Sequence, residues 1–146
     1  MEPKNLGLDE ELVTNILNAF SNNHFARRTG IVLTSLGPGT LTAQLTVTKD
    51  VCNMLGTMHG GATAALADTT MGMCCCTLNS WGITADFNVY YFLPVSENET
   101  ITSTGKIIRS GKKAIFVECA LANGKGQLVA KASGTFFNGG PLNSNL

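Results

Sequence analysis

Charge is scarce in this sequence and evenly split: ten basic and ten acidic side chains among 146 residues, 14 % in all, with no net charge and 44 % hydrophobic residues. A protein that reads the nucleic-acid backbone needs clustered excess cation, and a disordered chain needs high charge on a low apolar background. The composition excludes both. Low net charge leaves little self-repulsion, so self-association is the default expectation. Long apolar runs are also absent. No stretch approaches the roughly 18 uninterrupted residues of a membrane span, and Met1-Glu2-Pro3-Lys4-Asn5 lacks the apolar run of a secretory leader. A cytoplasmic protein without membrane contact is expected.

Cysteine occurs five times but in no pairing pattern. Cys74, Cys75 and Cys76 are adjacent, which is poor geometry for a disulfide framework and fits neither a C-x-x-C nor a Cys/His zinc spacing. Reduced packing residues are expected, with no metal. The length suits one domain able to bury most of its apolar surface, and there is no linker, low-complexity segment or repeat. A single domain over 1–146 is therefore expected, its body running from about residue 8 to 138 and its Gly/Asn-rich tail, 139–146, flexible.

Asp9 as N-cap, Glu10 and Glu11 in a first turn, and Leu12, Val13, Ile16, Leu17 and Phe20 at helical spacing predict a one-sided helix over about 9–20. Thr29 to Leu36, a Gly37-Pro38-Gly39 turn and Thr40 to Thr48 predict a β-hairpin, in which Leu41, Ala43, Leu45 and Val47 alternate with polar neighbours. Four further strands are predicted at Gly82 to Phe92, Thr100 to Arg109, Lys113 to Ala122 and Gln127 to Phe137, joined largely by tight turns.

Between the two β regions, from Val51 to Ala85, Asp68 is the sole formally charged side chain and His59 the sole imidazole. The middle of this segment, about 61–77, is dense in Ala, Leu, Met and Cys, without proline or alternation. It predicts a helix that is apolar nearly all round, and such a helix must be buried. At about 24 Å it matches a strand of about seven residues, so a curved antiparallel sheet can wrap it along its length. The fold class is α+β. The strand after the helix carries polar and aromatic residues on both faces, Thr84, Asp86, Asn88, Tyr90 and Phe92 on one and Ala85, Phe87, Val89 and Tyr91 on the other. That suits a sheet edge joined to a second copy.

A carboxylate inside an apolar helix costs several kcal/mol unless it is bonded or retained for function. Asp68 either bonds to Thr69, Thr70 or nearby backbone, points outward, or does chemistry. Gly60 and Gly61 open the helix with amide donors at the positive end of its dipole, suited to an oxyanion, or they ease a tight turn into the helix. Asn53 can supply an amide to the same oxygen or close a turn. His59 is either a general base or a ring that orients the loop. Gly60 and Asp68 stand about 12 Å apart along one helix, too far to act on one carbonyl. If they act together, the carboxylate comes from a second copy, and the sites lie at a dimer interface.

The segment Asn53, Gly56, His59-Gly60-Gly61 and Asp68 resembles the hotdog-fold acyl-CoA thioesterases, in particular the PaaI-like and thioesterase-superfamily-member-2-like branch, and the resemblance extends over about residues 40 to 138. It implies a hotdog fold, a homodimer that pairs further into a tetramer, an acyl-CoA substrate and no cofactor. Residue by residue, it implies Gly60 and Asn53 for the thioester carbonyl, Asp68 from the other subunit for the water, His59 as an orienting neighbour, and Thr84 as the hydroxyl that helps hold the water. Arg109, Lys112 and Lys113, flanking Ser110-Gly111, are then expected near the nucleotide of coenzyme A. Gly61 is expected along the substrate, and Met54, Met58, Met71, Phe87 and Tyr90 either line the acyl pocket or are dry core. Hydratase chemistry, which pairs a His with an acid in one step, is disfavoured by the presence of only His24 and His59. A non-catalytic acyl-CoA-binding module is the alternative.

Overall fold

The computed structural model describes residues 2–143. Among these, seven strands form one sheet: β1 (Lys4–Asn5), β2 (Val32–Gly37), β3 (Thr40–Thr46), β4 (Gly82–Tyr91), β5 (Thr100–Ser110), β6 (Ala114–Ala122) and β7 (Leu128–Asn138). Their order is β1–β2–β3–β5–β6–β7–β4, antiparallel throughout except for the two-residue parallel pairing of β1 with β2. Strand β4 follows the long helix and pairs on one side alone, with β7, so it is an edge.

Helix α3 (Gly60–Cys76) lies on the inner face of this sheet, starting one residue earlier than its composition predicts. Leu66, Ala67, Met71, Cys74, Cys75 and Cys76 are buried against Leu41, Ala43, Leu45, Ile101, Ile115, Val117, Leu121 and Phe136. The inward residues of β3 and β6 alternate with exposed or half-buried ones, as a sheet covered on one face requires. Burial of α3 is not complete. Gly61 is exposed, and Ala64, Ala65, Asp68 and Gly72, at helical spacing from it, are half-buried. This stripe of small residues is the part of the helix that its own sheet leaves uncovered.

Helix α1 (Glu10–Ser21) is capped by Asp9, whose carboxylate accepts from the Glu11 and Leu12 amides, and buries Val13 and Ile16. Two departures from the sequence reading lie nearby. Residues His24–Thr29 form a second helix, α2, with Asn23 as its cap, so the strand expected from Thr29 begins at Val32. The tail expected to be flexible from residue 139 is tied down in its described part. Gly139 donates to the Trp81 carbonyl, Gly140 accepts from the Trp81 amide, and Leu142 is buried; residues 144–146 lie outside the described residues. No helix among the described residues is long and apolar enough to cross a membrane.

Candidate active site

Asp68 sits at mid-helix on the uncovered stripe of α3, half-buried. Its Oδ1 accepts a hydrogen bond of 2.8 Å from the Thr84 hydroxyl. Neither Thr69 nor Thr70 is its partner; Thr70 donates instead to the Leu66 carbonyl. The bond to Thr84 depends on an irregularity in β4. Thr84 pairs with Phe136 and Asp86 with Thr135, leaving Ala85 as an extra residue. This β-bulge shifts the alternation by one, so Thr84 turns inward with Phe87, Val89 and Tyr91 and does not share the outer face of Asp86 and Asn88. The face assignment expected for Thr84 is thereby corrected.

At the N-terminus of α3, His59 is the cap, and its Nδ1 accepts from the Gly61 amide at 2.8 Å. This bond ties the His59 ring to the first turn of the helix. The pair of free glycine amides expected here reduces to one. Gly61 N–H is taken by His59, whereas Gly60 N–H has no acceptor among the described residues. The Gly60 carbonyl accepts from the Tyr91 hydroxyl at 2.9 Å.

Asn53 closes the turn before the helix. Its Oδ1 accepts from the amides of Leu55 and Thr57, and its Nδ2 donates to the Thr57 hydroxyl at 3.0 Å. Gly56 completes this turn at a φ of +74°, in the left-handed region that favours glycine. The Asn53 side chain closes this turn and keeps one Nδ2–H over.

A cleft of about 270 Å³ opens beside Gly60, walled by Met58, Thr63, Tyr91, Phe92, Leu93 and Val95. Met58 therefore lines this cleft. None of the four other side chains expected along the acyl group lines it. Met71 is fully buried in the core, Tyr90 pairs opposite Lys131 on the outer face with 65 % of its surface exposed, and Met54 projects from the 53–57 turn at 99 % exposure. Phe87 is inward and half-buried against the core. Tyr91, which the sequence reading passed over in favour of Tyr90, touches Gly60. The bulge sets Tyr91 on the inward face with Thr84, where an unbroken alternation would set Tyr90.

Arg109, Lys112 and Lys113 are exposed around the β5–β6 turn, where Gly111 donates to the Ala114 carbonyl. The Lys113 carbonyl accepts from Asn138, which pairs with Gly82, so the basic tip lies at the end of the sheet where β4 begins. The ion pair found among the described residues is Lys131–Glu118, at 3.9 Å, which leaves the three tip cations without a carboxylate. No group of three or more His, Cys, Asp or Glu converges on a metal position among the described residues.

The profile described as Thioesterase superfamily matches residues 55–130, from the turn before α3 into β7. The sequence is 34 % identical over 108 residues to acyl-coenzyme A thioesterase 13 of Homo sapiens, covering 72 % of this chain and 77 % of that one. Thioesterase superfamily member 2 of zebrafish superposes with a TM-score of 0.78 at 26 % identity, over 91 % of this chain and all of the other (100 %). The E. coli PaaI protein from the phenylacetic acid degradation operon shares the fold at a TM-score of 0.87 and 23 % identity, over 92 % of this chain and 98 % of its own.

Proposed function

The chain belongs to the thioesterase superfamily, with its α+β hotdog fold, and from that premise we propose that it hydrolyses acyl-CoA to a free acid and coenzyme A at sites shared between two copies of itself. The observation that carries this reading is the pairing of Thr84 with Asp68 on the uncovered stripe of α3, beside an open sheet edge. Thr84 occupies Oδ1, which aims the carboxylate and leaves Oδ2 for a water.

Helix geometry separates Asp68 from Gly60 of the same copy by about 12 Å. Strand β4 runs the other way, so that Tyr91 stands at Gly60 and Thr84 at Asp68. When two β4 edges pair antiparallel about a two-fold axis between Phe87 and Asn88, Thr84 comes opposite Tyr91 of the second copy. Asp68 then approaches the second copy's Gly60. The same pairing removes both open edges and covers both small-residue stripes.

In this arrangement Gly60 N–H donates to the thioester oxygen, joined by the spare amide hydrogen of Asn53. Asp68 takes a proton from water as the water oxygen attacks the carbonyl carbon. The tetrahedral oxyanion is held by the amide at the positive end of α3; its collapse breaks the carbon–sulfur bond, and the proton held by Asp68 passes to the departing sulfur, releasing coenzyme A as the thiol and restoring the carboxylate. His59 orients the helix start, the apolar cleft with Met58 receives substrate, and Arg109, Lys112 and Lys113 meet the phosphates of coenzyme A. No cofactor takes part. Ile83, Ile108, Phe116 and Phe137, exposed on the outer face, support pairing of dimers into a tetramer. The uncombined cysteines fit a cytoplasmic protein.

The test is thiol release from a panel of aromatic, short, medium and long acyl-CoA esters, with Asp68→Ala alongside and the mass of both proteins measured in solution. Turnover by the wild type, its near-complete loss in the variant and a shared dimeric or tetrameric mass are expected. Equal turnover by both, or a monomeric mass, overturns the reading.

A further inference from the structure

We propose that Tyr91 is a positioning residue that sets the direction of the Gly60 amide; the role rests on the thioesterase reading above. Glycine at the first position of a helix is soft. It has no side chain to pack, and the first amides of a helix have no intrahelical acceptor. Here the two peptide planes that meet at Gly60 are both held, one of them from outside the helix. The plane joining Gly60 to Gly61 is held at opposite ends, its carbonyl by the Tyr91 hydroxyl at 2.9 Å and its N–H by His59 Nδ1 at 2.8 Å. Because a peptide is rigid and trans, two bonds at opposed ends stop it rotating about its own axis. The plane joining His59 to Gly60, which carries the Gly60 N–H, is held through its carbonyl by the amides of Ala62 at 2.9 Å and Thr63 at 3.1 Å. As the first residue of an α-helix, Gly60 also accepts the intrahelical bond from Ala64 N–H; removing the Tyr91 bond leaves its carbonyl held from within the helix alone and loosens the φ and ψ of Gly60.

Tyr91 also comes from the strand that carries Thr84. Strand β4 therefore fixes the amide donor at one of its ends and the carboxylate at the other. If β4 is the seam between two copies, a single strand sets the geometry of both halves of the shared site. A displacement of the amide of about 1 Å is enough to cost on the order of a hundredfold in rate.

Tyr91→Phe keeps the ring, which stands 3.6 Å from where a Cβ on Gly60 would lie, and removes only the hydroxyl. The expected result is a fall in kcat of about tenfold to a hundredfold on acyl-CoA with KM changed less than about twofold. Faster hydrogen exchange at the Gly60 and Gly61 amides and a melting temperature close to wild type are expected with it. Unchanged kcat and exchange overturn the proposal. So does a rise in KM with kcat intact, which would make Tyr91 a substrate contact, and so does a parallel loss of activity and melting temperature with exchange at the two glycines unaltered. A wild type that releases no thiol from any ester overturns the thioesterase reading itself, and this role with it.

Discussion

Thr84 reaches Asp68 at 2.8 Å because strand β4 carries one residue more than its neighbour at Ala85. Without that bulge the period-two alternation of a strand would turn Thr84 to the outer face beside Asp86, and the Asp68 carboxylate would have only solvent to orient it. A hydrogen bond from a neutral hydroxyl to a carboxylate contributes about 1.5 to 3 kcal/mol. Its value here lies in holding the carboxylate in one rotamer on the open side of the helix.

Thr84→Val is isosteric and deletes only the donor. Its kcat on acyl-CoA is expected to drop about tenfold or more, because Asp68 loses its fixed rotamer, while the melting temperature changes little for a residue this exposed. Thr84→Ser keeps the hydroxyl and is expected to retain most of the activity. The pair is read by steady-state kinetics; a valine variant as fast as wild type would show that the hydroxyl does not position the carboxylate.

The approach of α3 to β4 depends on a second local feature. A Cβ added to Gly82 would stand 2.8 Å from the Cys75 Cβ and 2.9 Å from the Gly72 carbonyl oxygen, and the backbone oxygen cannot move aside. Gly82→Ala is expected to force strand and helix apart, at a cost of about 1 to 3 kcal/mol, and to lengthen the Asp68–Thr84 contact. Gly72→Ala meets Phe136 and the Gly82 carbonyl oxygen only at 3.6 and 3.7 Å, and gains up to about 1 kcal/mol of helix propensity. Thermal denaturation should rank the two on opposite sides of wild type.

Most of what builds this site was legible in the sequence, and the parts that were not share a cause. The central helix was readable because Gly60 to Cys76 has no charge but Asp68 and no alternation, and the β3 strand because Leu41, Ala43 and Leu45 alternate with threonine and glutamine. The family resemblance implies Thr84 only as a hydroxyl that helps hold the water, and its hydrogen bond to Asp68 is a finding of the structure. The bulge that makes it possible has no composition signature, since Ala85 fits a regular strand equally well. An unbroken alternation sets Tyr90, not Tyr91, on the face of Thr84, and the bulge reverses that. Helix α2 had a signal that was passed over: Asn23 as cap and Gly30 as stop bracket His24–Thr29. Met54 resembled a pocket residue by type, yet the Asn53 turn that ends at Thr57 throws it outward.

The cysteines make the folded state sensitive to base. Burial pushes the Cys75 and Cys76 thiols up to about 12 and Cys119 up to about 11, from an ordinary 9.0; Cys74 is raised further by burial and by its neighbours Cys75 and Cys119. The raised folded values mean that the stability these thiols contribute is complete below about pH 9 and is lost as pH climbs toward 12, because only the unfolded chain ionises them in that window. Each thiol adds a slope of about 1.4 kcal/mol per pH unit. Urea midpoints measured from pH 8 to 11 should fall steeply, and less steeply in Cys119→Ala. At pH 8 a thiol reagent should modify the half-buried Cys52 before any other. A flat pH dependence would contradict the burial of the cysteine cluster.

The sharing of one site between two copies is testable by mixing two dead proteins. Gly60 is the first residue of α3, and proline suits that position. It lacks the N–H that the helix does not use there, and its ring fixes a φ the helix already wants. The preceding His59 has φ −62° and ψ 137°, the conformation a proline demands of its predecessor. The Cβ space at Gly60 is open, with Tyr91 at 3.6 Å. Gly60→Pro therefore deletes one amide hydrogen and little else, and is expected to be folded and inactive. Asp68→Ala is expected to be inactive for the complementary reason, the loss of the carboxylate. In a mixed dimer, the intact Gly60 of one copy faces the intact Asp68 of the other at one of the two sites. Random reassortment makes half the dimers mixed, so thiol release should recover to about a quarter of the wild-type rate after the two proteins are unfolded and refolded together. If donor and carboxylate instead belonged to the same chain, every site in the mixture would carry one of the two defects and no activity would return.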